Sequence, residues 1–182
     1  GSGQYLQNLL PSLAHLQPSA RYVLLGPVDG AAASTGTDEP DAPWSRHALR
    51  TPFDGRSDGL AKVWFEQVAF PRACRRIDAD VAHVPYFAPP LFPTVPTVVT
   101  IHDLIPLLYP QTVSLRARLL FRIAVRLALR AADRVIAGAE ASRRDLVRIL
   151  GVDPERVAVT PYAAGPNFHP RPSAAIDRVR RQ

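Results

Sequence analysis

Short apolar segments that alternate with helical patterns are the feature that most constrains how this chain can fold. Apolar residues recur at helical spacing over about 115–131 and 141–150. Between and around these stretches lie apolar, β-branched segments of four to seven residues: YVLL (22–25), VAHV (81–84), VPTVVTI (95–101), RVIAG (134–138) and RVAVT (156–160). Strands that are joined through helices pair in parallel, and the helices cover their faces. The sequence therefore predicts an α/β fold: a Rossmann-like open parallel sheet with helices on both faces.

The amino-terminal third of the chain is less regular. Leucines at helical spacing follow Gly1-Ser2-Gly3, but Pro11 predicts a kink or an early end of that helix. Residues 26–59 are rich in Gly, Pro, Ser, Asp and Ala and show no periodicity, which predicts a long, flexible loop. A second helical pattern covers 60–77, with Pro71 interrupting it.

Composition narrows the compartment and the chemistry. No stretch of about 18 uncharged apolar residues could cross a bilayer, and no basic start is followed by an apolar block of the signal-peptide kind. Cys74 is the single cysteine, which excludes a disulfide framework and a cysteine metal cluster. We therefore expect a reducing, cytoplasmic setting.

Metal and hydrolase chemistries find little support. The five histidines show neither HxxxH nor HxH spacing: His15, His47, His83, His102 and His169. The Gly-x-Ser-x-Gly pattern of serine hydrolases is absent. We expect no metal and no other cofactor.

One predicted strand end carries candidate chemistry. His102 and Asp103 come directly after the apolar segment 95–101, and ligands of open α/β sheets bind at the carboxyl ends of the strands. His83, near the end of the preceding strand, could face the same cleft. Position alone leaves a second interpretation open, in which His102 only caps a turn and Asp103 accepts backbone N–H groups there.

Positive charge is concentrated in one region. Residues 113–150 contain nine arginines and three acidic residues, and this surplus equals the net charge of +6 of the whole chain. Arginines recur every four residues along one side of the predicted helix 115–131: Arg118, Arg122, Arg126 and Arg130. The apolar remainder of this helix is supplied largely by Leu119, Leu120, Ile123, Leu127 and Ala128.

Two interpretations of the arginine side stay open: a solvated surface, or a peripheral contact with an anionic membrane. A nucleic-acid interface is disfavoured because aromatic residues are not interleaved with the arginines and no binding motif is present.

Several blocks, taken in order, resemble a known family. GSGQYLQNLLPSL, HVPYFAPP, TIHDLIPLLYP and RVIAGAEASRRDLVRILGVDPERVAVTPYAAGPNFHP are similar to the amino-terminal domain of GT4-type retaining glycosyltransferases of the GT-B fold. The resemblance covers residues 1 to about 170, with little contribution from 26–59. The pair formed by HDLIP and ASRRDL…LGV carries most of its specificity.

The resemblance implies a two-domain enzyme with its active site in the cleft between two Rossmann-like halves. The amino-terminal half of such enzymes binds the acceptor, supplies a glycine loop to the donor phosphates and places a histidine near the transferred sugar. By motif position Gly1, Ser2 and Gly3 match that loop, and His102 matches that histidine as the candidate catalytic residue. Glycines at a helix start let backbone N–H groups approach a diphosphate. No covalent nucleophile is expected of Asp103.

Further expectations follow from the resemblance. The substrates would be a nucleotide sugar of mannose or glucose type and a glycan or lipid-linked acceptor, with Tyr86, His83 and Asp103 as acceptor-contact candidates; packing is an equal alternative for Tyr86. A lipid-linked acceptor would place the protein at the inner face of the membrane.

The sequence also departs from the family pattern. The family has a strand before the glycine loop, so the first strand is expected to be missing here, and a cloning remnant is the alternative origin of Gly1-Ser2-Gly3. The acceptor-side domain is expected to span 1–170, and 171–182 would begin the linker to an absent donor-binding domain, so that this half would be inactive alone. Ala139 stands where the family usually has serine, and Ser142 is expected to cap the next helix.

Two alternatives from other classes remain: a stand-alone, non-catalytic sugar- or phosphate-binding module, and a basic interaction domain for a membrane surface. A donor-binding domain in the full gene product would favour the enzyme, and its true absence would favour the binding module. Salt-dependent binding to anionic vesicles would favour the interaction domain.

Overall fold

The computed structural model describes residues 2–28, 43–163, 165, 170 and 172–181. Every strand pair in this part of the chain is parallel. The strands are β1 (Tyr22–Pro27), β2 (Trp44–Leu49), β3 (Ala82–Val84), β4 (Thr97–Ile101), β5 (Arg134–Ala137) and β6 (Val157–Val159). β1 pairs with β2 in one sheet, and the other four form a second sheet in the order β3-β4-β5-β6. The predicted parallel α/β architecture is confirmed, with its described strands divided between two sheets.

Seven α-helices accompany these strands in the described ranges. They are α1 (Ser2–Leu16), α2 (Asp58–Trp64), α3 (Phe70–Arg76), α4 (Ile105–Leu108), α5 (Leu115–Ala131), α6 (Glu140–Leu150) and α7 (Ser173–Arg180). α5 has the predicted bounds, and α1 continues through Pro11 without the early end that was one expectation. A π-helical turn, Phe65–Ala69, joins α2 to α3, so the helical backbone continues through Pro71, the second residue of α3.

The prediction of a long loop over 26–59 is wrong for part of that range. Residues 44–49 form β2, which pairs in parallel with β1 from Tyr22 opposite Trp44 to Pro27 opposite Leu49. Trp44, Arg46 and Leu49 are half-buried, whereas Ser45, His47 and Ala48 are exposed. The segment WSRHAL contains no apolar run, so its strand conformation depends on pairing with β1 rather than on its own composition. Residues 29–42 of that predicted loop lie outside the described residues.

The core lies around β4 and β5. Val99, Thr100 and Ile101 are consecutive and all buried; because neighbouring strand residues point to opposite faces, both faces of β4 are covered. Val125 of α5, Val135 of β5 and Leu146 of α6 are 0% exposed and belong to the same cluster.

Two polar residues fix how α5 joins the sheet. Asp133, just after α5, accepts a hydrogen bond from the N–H of Thr97 at 2.8 Å, and its own N–H donates to the Thr97 carbonyl at 2.8 Å. The Nη2 of Arg156 donates to the carbonyl of Leu129 at 2.8 Å and also to that of Ala132. These contacts pair carbonyls at the end of α5 that the helix leaves free. Gly151 ends α6 in the left-handed conformation, with φ of 68°.

Candidate active site at the carboxyl ends of the strands

The strand register brings three segments of the chain to one edge of the sheet. Ile101 of β4 lies opposite Ala137 of β5, and Ala137 lies opposite Val159 of β6. The residues that follow these strands therefore emerge side by side, and they include His102, Gly138 and Tyr162. This is the edge at which ligands of parallel α/β sheets bind.

Both ring nitrogens of His102 have partners. Nε2 lies 2.9 Å from the carbonyl oxygen of Pro85, and Nδ1 lies 2.5 Å from the hydroxyl oxygen of Tyr162. A carbonyl oxygen only accepts, so Nε2 must carry the proton and donate it. In the neutral ring Nδ1 is then the acceptor, and the Tyr162 hydroxyl donates to it. The fold thus fixes one tautomer of His102 and leaves Nδ1 as the nitrogen that faces an exchangeable partner.

Tyr162 lies against the backbone of Gly138. A Cβ atom added to Gly138 would come within 2.1 Å of the Tyr162 ring, so only glycine admits the ring there. Desolvation raises the pKa of Tyr162, with smaller contributions from Tyr5 and from the Asp103 carboxylate. The hydroxyl therefore stays protonated and keeps its role as donor to His102. Gly138 is the last residue of one predicted strand and Tyr162 lies two residues beyond another, but neither residue was predicted to belong to the site.

Four rings form a cluster at this edge, defined by Tyr5, His83, His102 and Tyr162. The ring of Tyr5 stands nearly perpendicular to the other three, at centroid distances of 6.0 Å to His83, 5.4 Å to His102 and 6.1 Å to Tyr162. Edge-to-face contacts of this kind are favourable. Tyr5 belongs to α1, so the cluster ties the beginning of α1 to the end of β4.

This contact places the predicted donor-phosphate residues near His102. Ser2 and Gly3 form the first turn of α1 and precede Tyr5 by only three and two residues, which is about 3–5 Å along a helix axis. The free N–H groups and the positive end of the α1 dipole therefore lie beside the ring cluster. Gly1 lies outside the described residues. Phosphate binding by any of the three stays a prediction.

His83 is linked to Tyr5 through Thr100. Nε2 of His83 lies 2.8 Å from Oγ1 of Thr100, and that hydroxyl in turn donates to the Tyr5 hydroxyl at 3.5 Å. Burial lowers the pKa of His83, and the neighbouring His102 lowers it further. His83 and His102 thus both contact Tyr5, while an acceptor contact of His83 stays a prediction.

The side chain of Asp103 holds the turn after β4. Its Oδ1 accepts a hydrogen bond from the N–H of Ile105 at 3.0 Å, which is the turn role left open by the sequence. The residue is exposed.

The hydroxyl of Tyr86 donates to Oε1 of the buried Glu66 at 2.9 Å. Glu66 also accepts from Lys62, with 3.0 Å between Nζ and Oε1, and Nζ lies 5.5 Å from the centroid of the Tyr86 ring. Burial raises the pKa of Tyr86, and the charge of Glu66 raises it further. These contacts favour the packing alternative for Tyr86, whose buried partner Glu66 lies in the π-helical turn.

The predicted role of Ser142 is wrong. α6 begins at Glu140, with Ala139 before it, and no side chain caps its first turn. Ser142 is already inside the helix, and its hydroxyl donates to the backbone carbonyl of His102 at 3.2 Å. It therefore supports the position of the candidate catalytic residue rather than the helix end.

The predicted membrane-facing arginines Arg118, Arg122, Arg126 and Arg130 lie on α5 and contribute no side chain to the ring cluster. Arg122 and Arg130 are exposed, and Arg118 and Arg126 are half-buried. Among the described residues, no helix is long and apolar enough to cross a membrane, and no group of three metal-ligating side chains occurs.

A comparison with protein families identifies a matching family. The model described as Glycosyltransferase Family 4 matches residues 1–163, a range that includes all four members of the ring cluster. A search of curated proteins finds no match.

Proposed function

The chain belongs to glycosyltransferase family 4, and on this premise we propose that it forms the acceptor-side half of a retaining glycosyltransferase. The enzyme would move a mannose- or glucose-type sugar from a nucleotide sugar to a glycan or a lipid-linked acceptor. The observation that carries the proposal is the fixed tautomer of His102 at the carboxyl end of β4. Its Nε2 is bound to the Pro85 carbonyl, and its Nδ1 is bound to the Tyr162 hydroxyl, which a substrate hydroxyl can replace.

His102 contacts the sugar through its ring in this proposal. Nε2 is bound to the Pro85 carbonyl, so Nδ1 is the nitrogen that a substrate hydroxyl can reach. A neutral Nδ1 accepts, and a sugar hydroxyl would therefore donate to it in place of Tyr162. The backbone carbonyl of His102 accepts one hydrogen bond from Ser142, and its second lone pair can still face the reacting sugar.

The beginning of α1 would stabilise the leaving diphosphate. Ser2 and Gly3 offer backbone N–H groups that the helix does not use, and Tyr5 positions them beside His102. Charge develops on the leaving diphosphate in the transition state, so preorganised donors at that place lower the barrier. Asp103 is committed to the turn and is not assigned a covalent role.

The remaining features of the enzyme belong to the same proposal. A donor-binding domain would complete the cleft and select the nucleotide, and the half described here would not transfer sugar alone. The reaction would need no metal cofactor. The protein would work in the cytoplasm, at the inner face of the membrane where a lipid-linked acceptor is available.

The first experiment compares nucleotide-sugar binding by the 182-residue chain and by the full gene product. Both are titrated with UDP- and GDP-sugars by calorimetry, and transfer is then assayed in the full gene product with and without His102→Ala. We expect weak or absent binding by the shorter chain, clear binding by the longer one, and a turnover at least about 100-fold lower in His102→Ala. His102→Ala should remain folded.

Tight binding by the 182-residue chain alone would overturn the proposal and favour the stand-alone binding module. Full turnover in His102→Ala would remove His102 from the reaction. Arg148→Ala, an exposed change on α6, is the matched control and should retain full activity.

A further inference from the structure

The outward side of α5 is apolar. An exposed row of apolar residues, the leucine row, repeats every four positions along this helix: Leu115, Leu119, Ile123 and Leu127. The exposed fractions of these side chains are, in that order, 80%, 56%, 48% and 36%. Leu120 beside them is 57% exposed. The helix instead packs on the core through Val125, Ala128 and Leu129. The leucine row therefore points away from the domain, whereas isolated exposed leucines would need no explanation.

A row of arginines runs directly beside the leucine row, and this arginine row consists of Arg118, Arg122, Arg126 and Arg130. Arg118, Arg122 and Arg126 each precede a member of the leucine row by one position, and both rows repeat every four residues, so they follow the helix side by side. α5 contains five arginines and no acidic residue. Within the described part of the chain, the salt bridges lie elsewhere and involve Lys62, Arg143 and Arg148.

The charge on this surface limits what can cover it. A second copy of the same face would bring two arginine rows together without an acidic residue to offset them, which is unfavourable. A purely apolar partner would remove water from the arginine side chains without offering them a hydrogen-bond or ion-pair partner, and burying an unpaired charge is costly. A bilayer with anionic lipids matches both rows, because the leucines enter the boundary of the acyl chains while the long arginine side chains reach the headgroup phosphates.

We propose that this face of α5 is a membrane-docking surface that lies flat on an anionic bilayer. The role of this surface, to bring the enzyme to a lipid-linked acceptor, rests on the proposed function. The evidence for the surface itself, the exposure and charge of α5, does not depend on that function. The helix spans 17 residues, about 25 Å at 1.5 Å per residue, and it would lie in the plane of the interface.

The test is sedimentation of the purified 182-residue chain with vesicles, in the absence of any nucleotide sugar. Vesicles of phosphatidylcholine alone are compared with vesicles that contain phosphatidylglycerol, at low and high salt. We expect binding to the anionic vesicles only, weakened by salt. Arg122→Gln/Arg130→Gln should lower the partition coefficient about 30-fold, and Leu119→Gln/Ile123→Gln at least about tenfold.

The matched control is Arg72→Gln/Arg76→Gln, which removes the same charge from exposed positions of α3 and should change binding much less. An equal loss in this control, equal binding to neutral vesicles, or no binding to either kind would overturn the proposal. Self-association that Leu119→Gln/Ile123→Gln abolishes would assign the face to a second copy instead. Circular dichroism of each variant establishes that it is folded. Because no transfer is measured, failure here is distinguishable from failure of the proposed glycosyl transfer.

Discussion

The hydroxyl oxygen of Tyr162 lies 2.5 Å from Nδ1 of His102, and Tyr162 is itself 54% exposed. One nitrogen of the imidazole is therefore fixed by the Pro85 carbonyl, whereas the other is covered by a side chain that can leave. A substrate that uses His102 must replace the Tyr162 hydroxyl. The relationship makes Tyr162 a competitor for the site and gives the first prediction.

Tyr162→Phe in the full gene product should raise kcat/KM for the sugar substrate. The phenyl ring keeps its packing, while the hydrogen bond that the substrate must displace is gone. A neutral hydrogen bond contributes about 0.5–1.5 kcal/mol, which corresponds to an increase of about two- to tenfold. Steady-state kinetics measure it, with the change expected in KM rather than in kcat. A fall in kcat/KM would mean that Tyr162 assists the reaction.

Gly138→Ala should expel Tyr162 from His102 without unfolding the domain. The new Cβ would lie within 2.1 Å of the tip of the Tyr162 ring, and a side chain that is half exposed can swing away at little cost. The ¹⁵N resonance of His102 Nδ1 should therefore move as it does in Tyr162→Phe. Gly59→Ala is the control, because a Cβ there has nothing within 4 Å.

A double-mutant cycle tests the same contact. If Gly138→Ala acts only through Tyr162, it should have no further effect on the Nδ1 resonance in a Tyr162→Ala background. A shift that persists in that background would show that Gly138 holds the end of β5 for another reason.

The histidine beside this site should make stability depend on pH. Burial, then the neighbouring His102, lowers the pKa of His83 below the 6.5 of an unperturbed histidine. At a pH between the folded-state pKa of His83 and 6.5, this histidine is protonated in the unfolded chain but neutral in the folded chain. The contribution of neutral His83 is therefore complete above about pH 6.5 and is lost as the pH falls through the folded-state pKa.

Urea unfolding at pH 7.5 and at a series of lower values measures this effect. His83→Gln, which keeps a donor for Thr100 but does not titrate in this range, should show a smaller loss of unfolding free energy on acidification. His15→Gln, at an exposed position of α1, should follow the wild type. Equal slopes in His83→Gln and the wild type would contradict the assignment.

The local signals in the sequence predicted His102 but not its partners. His102 follows an apolar strand directly, so its place at the sheet edge can be derived from seven neighbouring residues. Tyr162 is 60 positions away from His102, and Tyr5 is 95 positions away from Thr100. No local pattern connects such residues, because the contact exists only once α1, β4 and β6 have been brought together.

α5 shows a different limit of sequence patterns. Its bounds were predicted correctly from periodicity, but the side that faces the core was not. Leu119 and Ile123 repeat at the same helical spacing as the residues that are in fact buried, Val125 and Leu129. Hydropathy alone cannot decide between two apolar rows of one helix, so the exposed leucines became evident only from the packing.

The final prediction concerns the end of α5, which is held by a residue from outside the helix. Nη2 of Arg156 donates to the carbonyls of Leu129 and Ala132, which are partly buried. Arg156→Ala removes both hydrogen bonds and the positive charge beside the negative end of the helix dipole. Because an unpaired buried carbonyl costs about 1–3 kcal/mol, the free energy of unfolding should fall by about 2 kcal/mol.

Arg156→Lys, with a charge but no planar fork, should restore part of this loss. Arg148→Ala, which breaks an exposed pair with Asp145, should cost less than about 0.5 kcal/mol. Urea unfolding at neutral pH compares the three variants, and equal losses in Arg156→Ala and Arg148→Ala would show that these carbonyls find water instead.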